Sequence, residues 1–136
     1  MRFMLLVKAN KDSEAGVMPG EDVFSAMVDF HEQLARAGVL LDANGLQPSS
    51  RGWRIRYSGG KRTVIDGPFT EAKELIAGYT IIQVKTPEEA LEWAKRMPNP
   101  RNEDGEIEVR QVFELDELGP SEAIDRFRDL GVSGRK

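Results

Sequence analysis

The sequence predicts an α+β domain of the ferredoxin-like kind, an antiparallel sheet with two helices on one face. Three observations predict it. Short apolar or alternating runs suit strands, two longer stretches repeat their apolar residues at helical spacing, and the order is strand, helix, strand, further strands, helix, strand. At 136 residues and 40% hydrophobic content, the chain fits one domain with its own core.

The first strand is Phe3 to Ala9, apolar enough to lie centrally in the sheet, and the polar run Lys11 to Gly16 reads as the loop that ends it. From Glu21 to Ala37, the residues Val23, Met27, Phe30 and Leu34 recur at steps of three and four, and Gly38 stands where a left-handed residue stops a helix. Val39 to Leu46 forms a second strand before Pro48. Trp53 to Tyr57 alternates bulky and basic residues as a half-buried strand would, and Ser58-Gly59-Gly60-Lys61 is a hairpin turn leading into the arm Arg62 to Ile65. Leu75 to Val84 is a further strand. Thr86-Pro87-Glu88-Glu89 opens the second helix as a capping box, with Ala90, Trp93, Ala94 and Met97 toward the core and Pro98 at its end. A last strand carries Ile107, Val109, Gln111 and Phe113, and Pro120 to Leu130 forms a short helix before an end read as disordered.

Two helices on one face leave the other face of the sheet bare. A dimer with two sheets packed face to face is expected, with Trp53, Tyr79 and the apolar residues of the last strand at its interface.

Composition excludes several function classes. With 19 basic against 23 acidic residues and a net charge of -4, no electrostatic footprint for direct nucleic-acid binding exists. Without cysteine and with one histidine, disulfides, thiolate chemistry and a transition-metal site are not expected, and no cofactor is indicated. The apolar start Met1 to Val7 is too short to span a membrane and lacks a cleavage site, so a cytoplasmic location is expected. Gly59-Gly60-Lys61 lacks the spacing of a phosphate-binding loop, and Ser49, Ser50 and Ser58 lack a Gly-x-Ser-x-Gly frame.

The chemistry-bearing run is Asp66-Gly67-Pro68-Phe69-Thr70-Glu71-Ala72-Lys73-Glu74, a rigid turn crowded with ionisable groups. In a functional reading, Asp66 is a general base or an orienting carboxylate, Glu71 its partner, and Lys73 or Arg54 an anchor for the carboxylate or enolate of a small substrate. In a structural reading, Asp66 and Glu71 cap turns and Phe69 plugs the core beneath them. Arg54 and Arg56 project to one side of their strand, toward an anion pocket or toward water. His31 lies roughly 70° off the centre of its helix's apolar stripe. An imidazole there could exchange a proton at a cleft or simply bond to water or backbone.

The opening Arg2-Phe3-Met4-Leu5-Leu6-Val7-Lys8, the segment Ala37 to Leu41 with Gly45-Leu46-Gln47-Pro48, the DGPF run with Gly78-Tyr79, the helix Glu89 to Ala94 and the closing Glu106 to Phe113 together resemble the YCII-related proteins, in the branch with the DGPF motif. The resemblance implies a domain over residues 1–116, a tail over 117–136, and a dimeric α/β barrel. In the founding branch it implies an acid-base pair of an aspartate and a histidine on the first helix. That histidine stands about one turn before His31, where this chain has Met27. Related genes often neighbour those of extracytoplasmic-type sigma factors.

Two functions follow as expectations. One is a small-molecule binding protein or enzyme using Asp66, His31 and Arg54 in a cleft between the first helix, the sheet and the DGPF turn. The alternative is a non-enzymatic dimeric module that docks on a transcription regulator.

Overall fold

A computed structural model describes residues 1–100 and 104–132 of the chain. Four strands form one antiparallel sheet: β1 (Arg2–Lys8), β2 (Leu40–Gly45), β5 (Ile76–Gln83) and β6 (Ile107–Gln111), in the order β2-β5-β1-β6. The sheet is open, with β2 and β6 at its edges. Helix α1 is Lys11–Glu14, α2 is Glu21–Arg36, α3 is Pro87–Lys95 and α4 is Glu122–Asp129.

Alternation along the strands sorts the two faces. Phe3 and Leu5 of β1 and Ile82 of β5 form one buried cluster with Phe30 and Leu34 of α2 and Ala90 and Ala94 of α3. Both helices therefore cover the same face. Met4, Leu6, Tyr79 and Ile81 point the other way, and they are only half-buried. In the last strand, Val109 pairs with Leu5 and Ile107 with Val7, and both pack against the helix-side core. The expected interface role of those two residues is corrected accordingly: their register puts Glu108 and Arg110, not the apolar pair, on the bare face.

The helix boundaries follow local chemistry. Gly38 adopts φ +74° after α2, the left-handed stop that a side chain would resist. At α3, the Thr86 side chain accepts from the Glu89 amide at 3.1 Å, while the Glu89 carboxylate reaches back to the Lys85 amide at 2.9 Å. The segment read as a plain loop after β1 contains α1. Asn10 and Ser13 close a reciprocal box there, each side chain taking the other's backbone N–H at 2.8 Å. The tail helix α4 starts at Ser121, whose hydroxyl accepts from the Ala123 amide. The end read as disordered falls on residues 133–136, outside the described residues, apart from Gly131 and Val132.

Strands β3 (Trp53–Ser58) and β4 (Lys61–Asp66) pair only with each other, through a turn with Gly59 and Gly60 at φ 57° and 75°. Every residue of β3 is exposed, Trp53 at 69% and Tyr57 at 70%. The expectation of a half-buried strand is thus corrected. The alternation is real, but the hairpin leaves the sheet, so the described residues cover neither of its faces. Among the described residues no helix is long and apolar enough to cross a membrane.

Candidate functional site

Between α2 and the β2/β5 side of the sheet lies an open cavity of about 630 Å³. Its existence follows from residue size. On the helix-facing side, Gly45 of β2 sits directly opposite Gly78 of β5, and Ala43 sits opposite Thr80. Where neighbouring strands present leucine and isoleucine to the helices, this patch presents almost nothing. Phe24, Met27 and Val28 of α2 roof the space, and a Cβ on Gly45 would meet no atom within 4 Å. The wall is therefore largely apolar.

His31 sits at this wall. One turn up α2, its Nδ1 lies 2.7 Å from the Met27 carbonyl oxygen, and its Nε2 lies 2.9 Å from the hydroxyl of Thr80, a buried residue of β5. A carbonyl can only accept, so Nδ1 carries the hydrogen, and in the neutral ring Nε2 accepts from the Thr80 hydroxyl. The Phe30 ring meets the imidazole edge-on at 5.4 Å between centroids. Both ring nitrogens are thus held, and the ring's orientation is set by two different elements.

The ionisable residues of the DGPF turn stand apart from this cavity: none of Asp66, Glu71, Lys73 and Arg54 is among the residues lining it. Arg54 lies over the Phe69 ring, 3.8 Å from its centroid, and 3.9 Å from a Glu71 oxygen. Phe69 is half-buried by that guanidinium and lies outside the main core cluster. Glu71 occupies the N-cap position of the short 3-10 turn Ala72–Glu74 without a side-chain cap bond, and its carboxylate accepts instead from the Thr70 hydroxyl at 3.0 Å. Asp66 and Lys73 are exposed.

What the turn does make is a clasp. The Gly67 amide donates to the Gly52 carbonyl at 3.0 Å and the Phe69 amide to the Ser49 hydroxyl at 3.0 Å. Ser49 in turn donates from both its amide and its hydroxyl to the Glu14 carboxylate of α1. Three segments distant in sequence are so tied at the base of the hairpin.

Titration is perturbed elsewhere. The Arg2 guanidinium, hydrogen-bonded to Glu114 at 2.8 and 3.1 Å, holds that carboxyl below the usual glutamate value. Hydrogen bonds from Arg110 and then Lys8 do the same for Glu108 on the sheet's bare face. Among the described residues no group of three His, Asp or Glu side chains is placed to hold a metal ion.

Thr80, Gly45 and Gly78 are the site residues that reasoning from sequence missed. A glycine inside a strand signals a close approach or a missing side chain, and Gly78, two residues before Thr80, was the available sign. Its partner Gly45 could only be matched to it once the register of β2 against β5 was known.

A family model, the YCII-related domain, matches residues 1–116 of the chain. An uncharacterized protein of Rhizobium meliloti (strain 1021) is 32% identical over 92 residues, which cover 68% of this chain and 74% of that protein.

Proposed function

The chain belongs to the YCII-related family, and on that premise we propose that it binds a small molecule in the cavity beneath α2, with the imidazole of His31 and the hydroxyl of Thr80 as the polar point of contact. The observation that carries the reading is the pairing of an apolar-walled space of about 630 Å³ with one oriented imidazole-hydroxyl pair, the common make-up of a ligand site. If chemistry accompanies binding, His31 is its acid-base group, and the ring is aimed by Thr80 on one side and the Met27 carbonyl on the other. The DGPF turn takes a structural role as the clasp of the hairpin.

The working unit in this proposal is a homodimer of the ferredoxin-like domain, two open sheets facing each other as an α/β barrel. The half-buried row Met4, Leu6, Tyr79 and Ile81, which neither α2 nor α3 covers, supports it. Trp53, Ile55 and Tyr57 on the exposed hairpin add apolar surface that a second copy would shelter.

A thermal-shift screen of small aromatic and alicyclic molecules tests the binding reading, since a ligand selective for the folded state raises its melting temperature. Gly45→Leu is the control. A leucine there fills the cavity from the side where the backbone leaves open space, so it should abolish the shifts while remaining folded. Shifts that persist in Gly45→Leu, or a screen with none at all, overturn the cavity as the site.

A further inference from the structure

Among the described residues, the polar residues that line the cavity all have side-chain partners within the chain, several of them on the far face of the sheet. Lys8 is paired with Glu108 at 3.2 Å and Glu32 with Arg36 at 3.3 Å. Asn44 and Tyr79, opposite each other in register, turn their side chains to the bare face, where the Asn44 amide and the Tyr79 hydroxyl bond each other at 3.0 Å and share the Asp42 carboxylate. His31 is engaged through both nitrogens, and with the ring neutral Thr80 donates its one hydroxyl proton to His31. A charged ligand would therefore find no free counter-charge among the described residues of this wall, and an ion lowered into an apolar space without one loses its hydration uncompensated. A polar valence does remain at Thr80. The Thr80 oxygen, having given its proton to His31, keeps lone pairs that can accept a hydrogen bond.

Resting on the cavity-binding reading, we infer that the ligand is an uncharged, mainly apolar molecule carrying a hydroxyl or comparable donor, which it gives to the Thr80 oxygen. The apolar body fills the space over Gly45, where a Cβ would meet no atom, and over Gly78, which the β2 backbone approaches closely, under Phe24 and Met27. His31 acts on this donor through Thr80: by accepting the threonine proton, it orients the oxygen to receive the ligand's.

Four probes of one shape separate the terms: naphthol, naphthalene, naphthoate and naphthylmethylammonium, titrated at neutral pH by fluorescence or calorimetry against wild type, Gly45→Leu and Thr80→Val. Naphthol should bind best, each ionic probe more than about tenfold weaker, and Thr80→Val should reduce naphthol to the affinity of naphthalene. If naphthoate or the ammonium probe binds as tightly as naphthol and Gly45→Leu abolishes that binding, the neutral-ligand inference is overturned while the cavity reading stands. Naphthol affinity unchanged in Thr80→Val overturns the assigned hydrogen bond. No saturable binding of any probe, or binding indifferent to Gly45→Leu, removes the cavity reading and the inference with it.

Discussion

A side chain on Gly67 would place its first carbon 1.8 Å from the carbonyl oxygen of Ser49. No such contact is tolerated, so the turn and the segment at Ser49 can pack this way only with glycine at that position. Gly67→Ala should lower the unfolding free energy by about 2 kcal/mol or more, as forced overpacking does. Denaturant unfolding measures it, and the alanine at Gly59, where a Cβ meets open space, separates steric conflict from backbone effects. A loss at Gly67 no greater than at Gly59 would show that the clasp yields.

Thr80→Val removes a hydroxyl of nearly the same shape and leaves His31 Nε2 without its partner. The expected cost is about 1 kcal/mol, the net worth of one such bond. The imidazole nitrogen signals in NMR should also move, because the ring loses one of its two anchors. Unchanged stability together with unchanged imidazole signals would mean that the ring takes its orientation from Met27 alone.

The Arg2 and Glu114 pair predicts an acid limb. Glu114 titrates below the ordinary glutamate value of 4.5 because of its hydrogen bonds to Arg2. A carboxyl depressed in the folded state contributes stability that is full above its unfolded value and is lost as the pH falls through the folded one. Glu114→Gln should therefore destabilise the protein near neutral pH by no more than about 1 kcal/mol, since the pair is partly exposed. The difference from wild type should begin to shrink near the ordinary glutamate value of 4.5 and vanish only once the pH has fallen below the lowered, folded-state value. A difference that persists there would assign the effect to packing.

Leu6→Glu places a charge in the middle of the bare sheet face, beside Tyr79. Sedimentation velocity should find the wild type as a dimer and this variant as a folded monomer. A wild type that sediments as a monomer at micromolar concentration would remove the dimer from the proposal.

Most of the strands and helices were legible in the sequence because their signals are local. The steps of Val23, Met27, Phe30 and Leu34, the cap at Thr86 and the stop at Gly38 each state their role within one or two turns of chain. What was not legible depends on register and distance. Whether Ile107 and Val109 face the helices is decided by pairing with Leu5 and Val7, a hundred residues away in sequence. The DGPF turn drew attention because its charges are consecutive, yet Arg54 and Glu71 bind each other's neighbourhood while His31 finds its partner in Thr80, 49 positions on. A cavity made of missing side chains announces itself in sequence only as glycine, which also marks turns.

The edge strand β2 is short, and its pairing with β5 is broken by an irregularity between Leu40 and Asp42. A regular outer edge offers a row of free amides and carbonyls to any other extended chain. Here the row is interrupted, carries the Asp42 carboxylate, and gives out at a glycine, so a foreign strand could not extend the sheet for more than a few residues. Gly45, which leaves the cavity open on one side of β2, is thus also where the edge available to a foreign strand ends.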